Sequence, residues 1–159
     1  MNPSQEIIEK LYQSFSIKDY RRMAECYHPE ATFTDSVFNL QSGREIAAMW
    51  HMLTDAGKDL RIEYRDIRAD SQTGTAHWEA FYTFSKTGRP VHNILEAVFE
   101  FKDGLIIRHT DRFDLWRWAG LALGTPGKLL GWAPFFQQRI RTTAMQNLRK
   151  FMASHPQYA

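Results

Sequence analysis

The chain has 159 residues and a single cysteine, Cys26, so it fits one domain and a disulfide framework is excluded. Apolar residues make up 43% and aromatics 14%, enough for a core that needs no metal staple, since a chain of this size buries about 70% of its unfolded surface. The net charge of +2 hides a split: residues 1–114 carry 14 basic and 18 acidic side chains, whereas 115–159 carry six basic ones (Arg117, Lys128, Arg139, Arg141, Arg149 and Lys150) and no acid, the mark of a tail that docks on an acidic body, a partner or an anionic surface.

Ser4 is suited to cap a first helix that begins near Gln5, with Ile7, Ile8, Leu11, Tyr12 and Phe15 at helical spacing. Asp19 is suited to cap a short second helix through Met23 and Tyr27, which His28-Pro29 should end because the residue before proline leaves the α region. Ala31, Phe33 and Asp35 then alternate with Thr32 and Thr34 as in a short strand. Ser42-Gly43 opens a third helix with Ile46, Met49, Trp50 and Leu53 on one stripe and Gly57 near its end.

From residue 60 the period becomes two. Leu60, Ile62 and Tyr64 form one strand face; Ala76, Trp78, Ala80, Tyr82 and Phe84 form the next. After a turn at 86–90, Val91, Asn93, Leu95, Ala97, Phe99 and Phe101 line a long strand. Lys102-Asp103-Gly104 reads as a tight hairpin, followed by Leu105, Ile107, His109, Asp111 and Phe113 on one face. Helices followed by a meander predict an α+β fold, a curved antiparallel sheet packed on N-terminal helices. The tail, 115–159, breaks at Gly124-Thr125-Pro126-Gly127 and predicts a last helix from about Pro134 with Phe136, Ile140, Ala144, Leu148 and Phe151 or Met152 as its stripe. Its apolar content predicts a helical extension that folds back on the domain as a lid, burying Trp116, Trp118, Trp132, Phe135, Phe136 and Phe151.

The strings DYRRMAECYHPEATFTD (19–35), GREIAAMW (43–50) and FEFKDGLIIRHTDRFD (99–114) resemble the nuclear transport factor 2-like superfamily, in particular its SnoaL-like branch, over about residues 4–114. The resemblance implies a cone-shaped α+β barrel around an apolar pocket, on a fold that hosts isomerases, cyclases, hydrolases, dehydratases and binders. It divides the chain into a domain at 1–114 and a basic, aromatic-rich extension at 115–159. In ketosteroid isomerases of this fold the general base ends the first strand in a string like ATVED; ATFTD places Asp35 there, and Tyr12 lies near their oxyanion tyrosine. In limonene-epoxide hydrolases a WRDYFD string holds an aspartate that Asp111 matches, but Trp78 and Ala80 stand where their arginine and second aspartate would be.

By parity Asp35, Asn93, His109 and Asp111 interrupt the apolar inner faces, and buried polar groups must find partners. Asp35 is the candidate base, His109 and Asp111 its catalytic partners about 7 Å apart along one strand, and Asn93 a donor to a developing oxyanion. Each has a bland counterpart: Asp35 as a turn cap, the pair as a buried register-fixing network, Asn93 as its filler. Tyr12, Trp50, Trp78, Tyr82 and Phe113 complete the expected pocket wall. His77, His92 and Glu96 have the opposite parity, on an outer face where Phe81, Ile94 and Val98 suggest a homodimer surface. No tight His or Cys spacing supports a metal, no motif calls for a cofactor, and the tail's charge is too spread for nucleic acid. MNPSQEIIEK has no signal-peptide pattern and no apolar run reaches a membrane span, so a soluble, cytoplasmic protein is expected, with the aromatic tail as an alternative membrane contact. Two functions fit: a small-molecule isomerase, cyclase or dehydratase acting on a hydrophobic carbonyl compound, or a non-catalytic module that only holds such a ligand or dimerises.

Overall fold

The computed structural model describes residues 1–159. The chain runs α1 (Pro3–Ser16), α2 (Tyr20–Ala24), β1 (Tyr27–Thr34), β2 (Asn39–Leu40), α3 (Gly43–Ala56), β3 (Arg61–Ala69), β4 (Thr73–Phe84), β5 (Arg89–Lys102), β6 (Leu105–Arg112), α4 (Leu115–Leu123), α5 (Thr125–Leu130), α6 (Pro134–Ala153) and a final 3-10 turn at Pro156–Tyr158. The six strands form one sheet in the order β2-β1-β6-β5-β4-β3. The fold is α+β, with α1 and α3 covering the inner face of a curved sheet.

Local chemistry explains most boundaries. Asn2, rather than Ser4, caps α1: its side chain accepts from Gln5 N–H while Gln5 Oε1 accepts from Asn2 N–H, leaving Ser4 buried inside the helix. Asp19 and Ser42 cap α2 and α3 as their spacing predicts. Asp103 and Gly104 both take positive φ, the geometry of a two-residue hairpin turn between β5 and β6.

Three expectations about the strands need correction. His28-Pro29 does not end a helix; it lies inside β1, in the stretch where pairing with β6 is interrupted between Tyr27 and Thr32, so the missing proline N–H costs no ladder bond. The β1–β6 ladder is parallel, unlike the remaining antiparallel pairs. On β6 the inner face is not continuous. A register shift pairs Phe101 with Ile106 and Glu100 with Arg108, so Ile106 is fully buried and Ile107 is the extra residue of a bulge. Beyond it the inward phase resumes at His109.

One core unites the molecule. Ile8, Leu11, Tyr12 and Phe15 of α1 and Ile46, Met49 and Trp50 of α3 pack on Trp78, Leu95 and Phe99 of the sheet. Cys26 is buried among them, its thiol pushed up to about 12 by burial, which makes it an inert packing group. The extension enters the same core: Leu148 of α6 and Tyr158 are buried, with Ala144, Met145, Phe151 and Met152 against them. His51 on α3 stacks on Tyr20 (centroids 3.7 Å apart) and meets Tyr158 Oη through Nδ1 at 2.9 Å, pinning the chain's end to α3. Other aromatics of the extension stay outside: Trp116, Trp132 and Phe135 are exposed, against the expectation that all would be covered.

Candidate functional site

The polar centre of the sheet is built on β6, which lies between β1 and β5. His109 and Asp111, both inward-facing and almost wholly buried, meet through His109 Nε2 and Asp111 Oδ1 at 2.9 Å. Trp78 Nε1–H of β4 donates to the same Asp111 oxygen at 3.1 Å. On the other side Tyr27 Oη of β1 lies 2.8 Å from His109 Nδ1 and accepts from Trp50 Nε1–H of α3 at 3.2 Å. Burial holds the Tyr27 phenol well above its ordinary pKa, so it keeps its proton and donates it to Nδ1. The donors thus assign the Nε2–H tautomer to His109, in a continuous line from Trp50 through Tyr27, His109 and Asp111 to Trp78.

Two atoms stand outside this accounting. Asp111 Oδ2 and Tyr12 Oη are buried and have no hydrogen-bond partner in the chain. Tyr12 comes from α1; its ring stacks on Tyr64 (5.3 Å), lies 5.9 Å from Trp78 and meets Phe99 edge-on. Burial, reinforced by the Asp111 charge, keeps its phenol protonated. An acceptor and a donor are therefore left open at one apolar centre, where an unmade hydrogen bond costs about 1–3 kcal/mol.

Asp35 follows the last residue of β1. Its Oδ1 accepts from the N–H groups of Val37 and Phe38, at 2.7 and 2.6 Å, closing the turn that returns the chain into β2. Burial nevertheless pushes its carboxyl up to about 7; the two turn bonds pull it down, the Asp111 charge raises it and His109 lowers it. Asp35 thus sits within electrostatic reach of the pair on β6 while remaining partly open to solvent. A pH dependence follows. Between the ordinary carboxylate pKa and about 7 the folded chain holds a proton that the unfolded chain has lost, so stability falls as pH rises through that window. The slope approaches about 1.4 kcal/mol per pH unit. Denaturant titrations from about pH 4.5 to about pH 8 should show this fall in the wild type and its loss in Asp35→Asn.

The remaining expected residues are dispersed around these groups. Asn93 is buried on β5, opposite Ala80 of β4. Tyr82 accepts from Trp118 Nε1–H at 2.8 Å, which ties α4 to the sheet; its phenol is raised by burial, eased by that bond and raised again by the Asp35 charge. Phe113 is half-buried, and its carbonyl accepts from Ser36 Oγ. Arg141 of α6 donates to the Ser36 carbonyl at 2.9 Å, so the extension clasps the Asp35 turn. Two surface clefts, of about 240 Å³ beside Pro3 and Lys102 and about 380 Å³ between Trp116 and Lys128, both lie away from these groups. Tyr27 is the member that sequence reasoning missed. It shares the odd-numbered phase of Ala31 and Phe33, but assigning it to a helix ended by Pro29 hid that phase.

The SnoaL-like domain model matches residues 8–109. The chain belongs to the SnoaL-like domain family. Solved structures agree on the fold of this SnoaL-like domain. A candidate polyketide cyclase of Xanthomonas campestris pv. campestris superposes with a TM-score of 0.63 at 17% identity, over 75% of this chain and 96% of that one. An epoxide hydrolase of M. tuberculosis, of the limonene-epoxide-hydrolase-like type, gives 0.63 at 17% identity, over 80% and 96%. A candidate hydroxylase of Streptomyces galilaeus gives 0.64 at 16% identity, over 86% and 97%. No functionally curated protein matches the chain in sequence.

Proposed function

We propose that this SnoaL-like domain binds a small hydrophobic compound bearing a carbonyl group and catalyses proton transfer on it, as an isomerase, cyclase or dehydratase, with Asp35 as general base. The observation that carries this reading is the open pair at the apolar centre, Tyr12 Oη as donor and Asp111 Oδ2 as acceptor, beside a carboxyl poised near neutrality. In the ionised form Asp35 takes a proton from the carbon next to the carbonyl. The electron pair moves onto the oxygen, which accepts a hydrogen bond from Tyr12 or the Asn93 amide. Protonated Asp35 then returns the proton at another carbon, or at a departing hydroxyl that leaves as water. The balance closes on the chain's own groups. A pKa near 7 suits such a base, because both proton capture and release remain accessible.

Hydrolysis of an epoxide, the activity named for one of the similar structures, is not favoured. Trp78 donates to Asp111 and Ala80 lies beside it where the resemblance would require charged partners. A purely binding module is the second reading, favoured by the Asp35 turn bonds, which give that carboxylate a structural task of its own. The outer face of the sheet supports pairing with a second copy: Ile94 and Val98 are exposed there, among His77, His92, Glu79 and Glu96.

Deuterium exchange separates the two readings. The protein is incubated in heavy water with steroidal enones and aromatic polyketide-like ketones, and label beside the carbonyl is followed by NMR. Wild type should exchange label at a rate that rises with pH and levels above about 7. Asp35→Asn should bind the same ketone and lose about 10²–10⁴-fold in rate. Binding without exchange in either protein leaves the binding module. Exchange unchanged in Asp35→Asn removes Asp35 as the base.

A further inference from the structure

The corner where α4, α5 and α6 meet holds an apolar surface that the molecule does not cover. Trp116 is 50% exposed, Leu129 65%, Trp132 57% and Phe135 66%, with Leu130 beside them. These residues are held in place. Trp116 Nε1–H donates to the Lys128 carbonyl at 3.0 Å and Trp132 Nε1–H to the Leu129 carbonyl at 2.9 Å, so both indoles satisfy their polar edge within the chain and still present ring surface to solvent. Gly127 fixes the crossing of α4 and α5: its α-carbon sits against the Ala119 carbonyl, with no room for a side chain.

The charge around this surface is mostly positive. Arg117 and Lys128 flank Trp116, and Arg139 lies one turn beyond Phe135 on the same exposed face of α6, which continues to Arg149 and Lys150. The carboxylate at its edge is Asp114, whose side chain is engaged in capping α4 through Arg117 N–H at 3.0 Å. From Leu115 to the end the chain carries no acid at all.

We propose that this corner docks on the interfacial region of an anionic lipid bilayer. Aromatic and leucine side chains ringed by lysine and arginine match that environment, where rings settle at headgroup depth and cations meet lipid phosphates and carboxylates. A second copy fits poorly, because a two-fold interface would bring together two patches rimmed by the same positive charge. Nucleic acid fits poorly because the six basic residues of the extension are spread along it and form no dense cationic stripe. No helix of the molecule is long and apolar enough to cross a membrane, so the contact is peripheral.

The test is flotation of the full-length protein with phosphatidylcholine vesicles, with and without phosphatidylserine. Binding is expected with phosphatidylserine only, weakening as salt rises. The triple variant Leu129→Ser, Trp132→Ser, Phe135→Ser should abolish it. The double variant Lys128→Glu, Arg139→Glu should weaken it by about tenfold or more. All these side chains are surface groups, and an unchanged thermal midpoint checks that the variants fold. Absence of phosphatidylserine-dependent binding overturns the proposal, as does equal binding by a folded triple variant. So does a vesicle-free dimer that the triple variant dissolves, which would assign the corner to a second copy.

Discussion

Truncation after Asp114 is expected to leave a chain that does not unfold cooperatively and collects in the insoluble fraction. The family model stops at residue 109, yet the core does not. Leu148 and Tyr158 are buried in it, and Ala144, Met145, Phe151 and Met152 lean on it. Removing them exposes the α3 surface around His51 and frees the Tyr82 hydroxyl from Trp118. A fully buried apolar side chain is worth about 1.5–3 kcal/mol, so these losses together rival the 5–15 kcal/mol or so that typically holds a domain folded. Leu148→Ala isolates the largest part and should cost about 2–5 kcal/mol in denaturant unfolding. A truncated chain that melts as sharply and as high as the full one would show that the extension is an ornament on an independent domain.

The second expected result concerns Asp111. Asp111→Ala should lower stability by about 2–5 kcal/mol, a fall of roughly 10 °C in Tm for a chain of this size. The reason is the two donors it abandons: His109 Nε2–H and Trp78 Nε1–H both lie in the interior, out of reach of water. Asp111→Asn should behave differently. The amide oxygen can accept from both donors, so stability should stay within about 1 kcal/mol of wild type. What Asn removes is the free acceptor at Oδ2, so ligand binding should suffer while folding does not. Matched losses of stability and binding in both variants would reduce Asp111 to a purely structural member of the network.

The sequence carried the phase of the sheet well where the chain stays regular. Asn93 on β5 and His109 and Asp111 on β6 all point inward because a period of two admits one assignment once the apolar face is known. It failed at irregularities. Leu105 and Ile107 alternate as cleanly as any strand, and nothing in their side chains announces the bulge that turns Ile106 inward. Tyr27 was hidden by the opposite error, a local rule about proline applied where the ladder happens to be interrupted. In the extension, composition demanded cover for every aromatic, but cover is finite: α6 offers one stripe to α3, which Leu148 occupies and Phe135 does not, and Trp132 lies in the turn before the helix. The open atoms on Tyr12 and Asp111 were beyond reach, because an unmade bond is a property of three strands and a helix together.

The parallel β1–β6 ladder bears on how the molecule is made. Its rungs join Phe33 to His109 and Thr34 to Thr110, near opposite ends of the sheet-forming chain. During synthesis β1 waits, with only the two-residue β2 beside it, until five later elements, α3 and β3 to β6, have emerged. Contacts so distant in sequence form late and slowly, leaving an unpaired apolar strand edge meanwhile. The rung that closes the sheet also brings Tyr27 up to His109. A half-folded chain therefore lacks the Tyr27–His109 bond, and the line from Trp50 to Trp78 is complete only once β1 and β6 have paired.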